Sequence, residues 1–177
     1  MLHEYTNDRG ETLRIDYDRD PMDPREWDNL GKFLVPPRCE YVPAEAENIL
    51  NWEDAEDDEK TLDAAGYLYL PVYVYDHSGV AYNTTGFSCP WDSGQIGYYV
   101  VSKSDLRKEY GCKRITAKIR KIALRTMRAE VETYGAYRNG EVYQFTIEDA
   151  SGDVIDACGG YYRVEDILDD YPEFKAA

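Results

Sequence analysis

Alternating apolar and polar positions predict most of the strands in this chain of 177 residues. The clearest is 67–75, where leucine and valine occupy one face and tyrosines the other. Pro71 lacks a backbone donor, so this strand is expected to lie at the edge of the sheet or to contain a bulge at Pro71. Further strands are predicted at 80–83, 97–102, 141–148 and 154–158, together with a hairpin of 2–6 and 12–17.

Apolar residues spaced three and four apart predict one long helix at 114–137. Its buried stripe is expected to comprise Ile115, Ile119, Ile122, Met127, Val131 and Tyr134. Ser104 is predicted to cap a shorter helix at 105–110. Short helices are also predicted at 44–52 and 164–171, whereas the prolines of 20–37 favour loop with one helical turn at 25–30.

Consecutive short strands and one long helix predict an α+β fold: an antiparallel sheet with one long amphipathic basic helix packed on it and short flanking helices. Because 177 residues with 43% apolar content suit one core, residues 1–177 are predicted to form a single domain. The tyrosines of 67–75 are expected to pack under a helix. The alternative is stacking on bases or on a partner protein.

Compartment and cofactors follow from what the sequence lacks. No run of eighteen apolar residues and no secretory signal are present, so we expect a cytoplasmic protein without membrane contact. The four cysteines, Cys39, Cys89, Cys112 and Cys158, form no Cys-x-x-Cys pair, and only two histidines are present. We therefore expect free thiols, no structural metal and no cofactor.

Charge is distributed very unevenly along the chain. Residues 103–128 contain ten Lys or Arg and two acids, a balance of +8, which leaves 10 bases and 33 acids elsewhere; the resulting −23 and +8 give the net −15. The bases come early in the predicted helix, which opposes the helix dipole. They are expected to pair with acids of the chain or to bind nucleic acid, and the outward ones are Lys113, Arg114, Lys118, Lys121, Arg125 and Arg128.

The region 45–63 has the opposite character, with nine carboxylates and the single base Lys60. It is either a solvated helix end, a surface that imitates nucleic-acid phosphates, or a loose cation site. An EF-hand is excluded because the turn glycine of its calcium loop is missing. If the region binds a partner, the candidate residues are Glu53, Asp54, Glu56, Asp57, Asp58 and Glu59.

Residues 76–95 combine a histidine, a cysteine and several turn-forming residues. Cys89 and His77 could form a thiol–imidazole pair, with Asp76 or Asp92 orienting the imidazole. The alternatives are an ordered structural loop anchored by Phe87 and Trp91 and a loop that recognises a ligand or a partner. No nucleophile elbow, phosphate loop, zinc-protease helix or dinucleotide fingerprint is present, so no reaction can be assigned.

Several strings in the chain carry a resemblance. DPREWDNLG at 23–31, YDHSG at 75–79 and NTTGFSCPWDSGQ at 83–95 resemble those of a family of small uncharacterised proteins from bacteriophages and mobile elements. The similarity continues through VSK at 101–103, RKEYG at 107–111 and EVETY at 130–134. The resemblance implies a phage-type origin and brings no defined activity.

Three functions are compatible with these patterns. The charge imbalance and the resemblance favour a non-enzymatic anti-defence protein, of the anti-CRISPR or anti-restriction type, in the cytoplasm of a bacterial host. It would bind a host nucleic-acid-binding protein or nuclease complex through its acidic surface. The alternatives are direct nucleic-acid binding by the basic helix 113–128 and a cysteine-dependent enzyme centred on Cys89 and His77.

Overall fold

The structure, a computed structural model, describes residues 1–53 and 56–175 and has an α+β fold. Its elements follow in the order β1 (His3–Thr6), β2 (Thr12–Tyr17), a 3₁₀ turn (Pro24–Glu26), β3 (Lys32–Leu34), α1 (Asp58–Ala64), β4 (Tyr67–Asp76), β5 (Val80–Asn83), β6 (Ser93–Ser102), α2 (Lys103–Glu109), α3 (Ala117–Arg138), β7 (Tyr143–Glu148), β8 (Val154–Tyr161), α4 (Val164–Asp170) and a second 3₁₀ turn (Pro172–Phe174). The predicted fold class is confirmed, but the strands form two antiparallel sheets instead of one.

The chain divides into two compact units. The terminal unit comprises Met1–Glu26 and Ala136–Ala177, and the central unit comprises Trp27–Gly135. The single domain expected for 1–177 stays a prediction, because compactness within a unit does not measure whether that unit folds alone.

The terminal unit is built on a sheet with strand order β1-β2-β7-β8. Both predicted hairpins are confirmed, β1 with β2 and β7 with β8. One face of the sheet is buried because apolar residues alternate along β2 and β7. The core of this unit consists of Leu13, Ile15, Phe145 and Ile147 packed with Ile167 and Phe174.

The central unit contains the second sheet, with strand order β3-β6-β4-β5. On one face Leu62 of α1 packs with Tyr98 and Val100 of β6. On the other face Phe33 of β3 contacts the rings of Tyr99 and Tyr134, which brings α3 onto the sheet. The long helix therefore covers one face of this sheet, as its pattern predicted.

The strand β4 confirms the strongest pattern in the sequence. Its leucines and valines are buried, whereas Tyr67 and Tyr69 are half-buried in the cluster that contains Leu62 of α1. These two tyrosines thus pack beside a helix. Pro71 lies where β4 pairs with β6 alone, next to a bulge at Val72, so its missing donor does not interrupt a ladder.

Three elements differ from the sequence prediction. No helix forms at 44–52, because the backbone amides of Glu45 and Ala46 donate to Phe33 O, and the Glu45 carboxylate accepts from Phe33 N at 2.8 Å. The segment is held against β3 instead of bonding to itself. The strand β3 forms where loop is predicted; it has only three residues, and Val35 separates it from the Pro36-Pro37 pair. The helix α1 forms within the acidic region 45–63, where a helix end and loop are the structural interpretation.

The helices of the basic region begin at other residues than predicted. Ser102, not Ser104, caps α2, and its hydroxyl accepts from the amide of Asp105 at 3.0 Å. Helix α3 begins at Ala117, so Ile115 precedes it. The predicted buried stripe holds in the second half of α3, whereas Ile119 and Ile122 are half-buried and Ala123 completes the buried face.

Candidate functional site

The basic residues of α3 form a continuous exposed surface. We define the cationic stripe as Lys118, Lys121, Arg125 and Arg128. Spacings of three and four residues place these side chains on one side of the helix, away from the buried Met127 and Val131. At 1.5 Å per residue the stripe is about 15 Å long.

In the described part of the chain these cations form no ion pair. Among residues 1–53 and 56–175, no ion pair within 4.0 Å involves any of the six predicted cations, which are Lys113, Arg114, Lys118, Lys121, Arg125 and Arg128. Direct ion pairs between these cations and carboxylates of the described residues, one of the two interpretations of the basic helix, are therefore not formed. All six side chains are exposed to solvent.

Glu130, two residues after the last cation of the stripe, has a structural role that the sequence did not reveal. The Glu130 carboxylate accepts hydrogen bonds from Leu30 N at 2.7 Å, Gly31 N at 3.1 Å and Tyr99 Oη at 2.8 Å. It thereby fixes the end of the DPREWDNLG segment to α3. A Cβ at Gly31 would lie 2.2 Å from the Tyr99 ring, so only glycine fits this approach.

A cavity of about 320 Å³ lies at the beginning of α3. Its basic lining residues are Lys103, Arg107, Lys113, Arg114 and Arg120, and none of its ten lining residues is acidic. Leu68 and Leu106 are buried residues of the same lining. Three of these cations were not among the predicted site residues, because they come from α2 and from the inner side of α3.

The acidic candidates are placed differently from one another. Glu53, Glu56, Asp57 and Glu59 are exposed, and Asp57 pairs with Lys60. Asp58 is a correction to the predicted surface, because it is only 5% exposed and lies beside the buried Tyr98, whose pKa is raised by burial and by this carboxylate. The candidate Asp54 lies outside the described residues.

The turn between β4 and β5 and the loop between β5 and β6 bring three of the four candidate side chains together. The Cys89 thiol lies 3.6 Å from Asp92 Oδ2, and His77 Nδ1 lies 3.7 Å from the same oxygen. Asp76 does not join them, because its carboxylate accepts a hydrogen bond from Tyr41 Oη at 3.2 Å. The carboxylate of Asp92 is therefore the common neighbour of the thiol and the imidazole.

This arrangement is unlike that of thiol catalysis. There the imidazole contacts the thiol and a carboxylate orients the imidazole from its other nitrogen. In the loop Asp92 occupies the position next to the thiol, and the His77 side chain is 67% exposed. Phe87, one of the two residues expected to anchor the loop, packs on the ring of Tyr75. The prediction that Trp91 anchors the loop is wrong, because this side chain is 90% exposed.

All four cysteines are free, as predicted. Within 1–53 and 56–175, no group of three or more His, Cys, Asp or Glu side chains could hold a metal ion. The helices in these parts of the chain are all too short or too polar to span a membrane.

Comparisons of the chain with protein-family models, with curated proteins and with solved structures found no match. The resemblance to phage and mobile-element proteins therefore stays a prediction, and the functional argument depends on the geometry of the described residues.

Proposed function

We propose that the chain binds nucleic acid through the sugar–phosphate backbone, using the cationic stripe of α3. The observation that carries this proposal is that the stripe has no ion pair among the described residues, although the chain has a net charge of −15. We infer that these exposed cations are available to an anion from outside the chain.

The stripe is locally unfavourable for the free protein. Lys118 and Lys121, Lys121 and Arg125, and Arg125 and Arg128 are like charges three or four residues apart. Each such pair destabilises a helix by about 0.2–0.5 kcal/mol. Phosphates would relieve this repulsion, so a bound strand and the stripe are complementary in charge.

The dimensions of the stripe fit a short stretch of backbone. Its length of about 15 Å corresponds to roughly four nucleotides at 3.4 Å each. Phosphate contacts of this kind position a protein without reading sequence. Because the rest of the chain repels phosphates, we expect contact to be confined to the stripe and affinity to lie near the nonspecific range, about 10⁻⁴ to 10⁻⁶ M.

The test is fluorescence anisotropy with a labelled duplex that has hydroxyl ends, over 20–200 mM KCl. Four phosphate contacts would give a slope of log K against log salt of about −3.6. The double variant Lys121→Gln/Arg125→Gln should reduce that slope by about 1.8. The control Arg19→Gln/Arg38→Gln changes the net charge equally at two exposed positions outside α3 and should leave the slope unchanged.

The proposal fails if the duplex does not bind at 20 mM KCl. It also fails if the two double variants change the slope equally, since binding would then follow net charge alone and not the stripe.

A second candidate is the anti-defence function, in which an acidic surface binds a nucleic-acid-handling host protein. The observation in its favour concerns Tyr69, whose pKa is raised by burial and then by the exposed carboxylates of Glu59 and Asp63. These acids therefore lie around a half-buried aromatic ring. Carboxylates beside an aromatic ring offer the same chemistry as phosphates beside a base.

This candidate is tested by capture from a bacterial lysate at low salt, followed by competition with duplex DNA. Glu53→Gln/Glu59→Gln/Asp63→Asn should release the captured protein, whereas Asp8→Asn/Asp20→Asn/Glu26→Gln, with equal charge change, should retain it. Capture that DNA does not compete away, or that survives the first variant, contradicts nucleic-acid imitation.

A further inference from the structure

We propose that the cavity at the beginning of α3 binds a phosphate monoester, carried either by the end of a nucleic-acid strand or by a free nucleotide. This site goes beyond the proposed function, because its cations are not those of the cationic stripe. They are Lys103, Arg107, Lys113, Arg114 and Arg120.

The charge of the cavity is the first step of the argument. Five cations line about 320 Å³, and in the described chain none of the five takes part in an ion pair. Like charges gathered around one space repel, and an anion at their centre interacts favourably with all of them. A doubly charged anion is therefore the ligand that this lining favours most.

The acids closest in sequence do not supply that negative charge. The Asp105 carboxylate accepts a hydrogen bond from the Ser102 hydroxyl at 2.6 Å, and the Asp105 amide donates to the same hydroxyl at 3.0 Å at the cap of α2. Glu109, at the other end of α2, lines a different cavity together with Asp28 and Lys108. Neither carboxylate of α2 lines the cavity of the five cations.

Size and shape restrict the ligand. Cavities that hold small molecules measure about 300–1,000 Å³, so this cavity suits a nucleotide and not a peptide or a folded partner. Ile115 is half-buried and supplies an apolar surface beside the cations, where a sugar or a base can pack, and the buried Leu68 and Leu106 belong to the same lining. Arginine binds phosphate with two parallel N–H donors, and three of the five cations are arginines.

The direction of α3 adds to the positive electrostatic potential of the cavity. The helix is 22 residues long, it begins at Ala117, and its first turn contains no acid. Thr116 and Ala117 both line the cavity, so the positive end of the helix dipole lies at it. The helix end strengthens the attraction that the five cations and the cavity establish.

The test uses two pairs of probes at low salt, where screening is weak. Isothermal titration compares AMP with adenosine, and anisotropy compares a 5′-phosphorylated with a 5′-hydroxyl oligonucleotide of the same sequence. We expect the phosphorylated member of at least one pair to bind at least about tenfold more tightly. Preference for AMP alone identifies a free nucleotide, and preference for the phosphorylated strand alone identifies a strand end.

Three variants locate the binding. Lys113→Gln/Arg114→Gln should abolish the phosphate preference. Lys121→Gln/Arg125→Gln makes the same charge change on α3, outside the cavity, and should keep the preference while weakening backbone binding. Arg114→Lys keeps the charge without the paired donors and should reduce the preference several-fold. Thermal melting of each variant shows whether the fold is retained.

The inference is overturned if neither probe pair shows a phosphate preference, or if the cavity variant keeps it. The proposed function fails separately, through the hydroxyl-ended duplex and the stripe variant, so the two failures are distinguishable.

Discussion

The cationic stripe and the loop between β5 and β6 both stand out in composition, but the structure treats their polar groups in opposite ways. In the loop, Asn83 bonds to Gly86, the Ser93 hydroxyl donates to Cys89 O, and Asp92 contacts Cys89 and His77. In the stripe, no ion pair is found among the described residues. The polar groups of the loop thus bond to one another, whereas the cations of the stripe form no ion pair with the described residues.

The difference has a simple physical basis. Most of the loop's partners lie within four residues of each other and include donors and acceptors, so tight turns can pair them locally. The stripe contains donors of a single sign, and no turn can pair like charges. Dense polar composition therefore indicates a binding surface only where one kind of charge is in excess.

Reversing the stripe should give the largest effect. If all four side chains contact phosphate, duplex affinity should fall by about 100-fold between 50 and 200 mM salt. Lys118→Glu/Lys121→Glu/Arg125→Glu/Arg128→Glu should abolish binding even at 50 mM. The charge-conserving variant Lys118→Arg/Lys121→Arg/Arg125→Lys/Arg128→Lys should stay within about threefold of the wild type, because backbone contacts need charge more than shape. Retained binding by the reversed variant would contradict the comparison.

Glu130 lies on the same helix as the stripe, but its carboxylate accepts hydrogen bonds within the chain. Glu130→Gln replaces a charged acceptor of three hydrogen bonds and should lower the free energy of unfolding by about 1.5–3 kcal/mol. Urea denaturation measures this loss. Glu132→Gln, at an exposed position two residues on, should change stability by under about 0.5 kcal/mol. Equal values for the two variants would show that Glu130 is not engaged.

The loop should respond as a structural element. Asn83→Ala removes hydrogen bonds to the amides of Thr85 and Gly86 and should lower the free energy of unfolding by about 1 kcal/mol. Cys89→Ser should change it by less, about 0.5 kcal/mol, and should not alter nucleic-acid binding. Loss of the biological effect in Cys89→Ser, with unchanged melting, would favour the enzyme hypothesis instead.

Tyr162 provides a reference in the terminal unit, outside both regions. Burial raises the pKa of Tyr162 from its ordinary 10.0 to about 12. A raised pKa means that this contribution to stability is fully present below pH 10 and is lost as pH rises through 12. Tyr162→Phe should therefore lose less stability than the wild type between pH 10 and 12, whereas Tyr17→Phe, at a 47% exposed position, serves as the control. Identical pH profiles for Tyr162→Phe and wild type would show that Tyr162 does not titrate in this way.

Local patterns predicted much of the fold. Alternation identified β4, β5 and both hairpins of the terminal unit, because one face of each sheet is buried and the period of two is strict. Periodicity also identified α3. It failed at 44–52, where apolar spacing suits a helix but the backbone bonds to β3, and it missed β3 itself, a strand of three residues. Such segments depend on a distant partner that periodicity does not reveal.

The sequence by itself determined the α+β class, the strand faces and the uneven charge, because these follow from residue order and short-range spacing. Only the tertiary structure decided which charges are engaged. It turned Glu130 toward Leu30 and Gly31, buried Asp58, and gathered Lys103, Arg107 and Arg120 around one cavity. Pairing and enclosure depend on distances between residues far apart in the chain, and those distances exist only once the sheets and helices have packed.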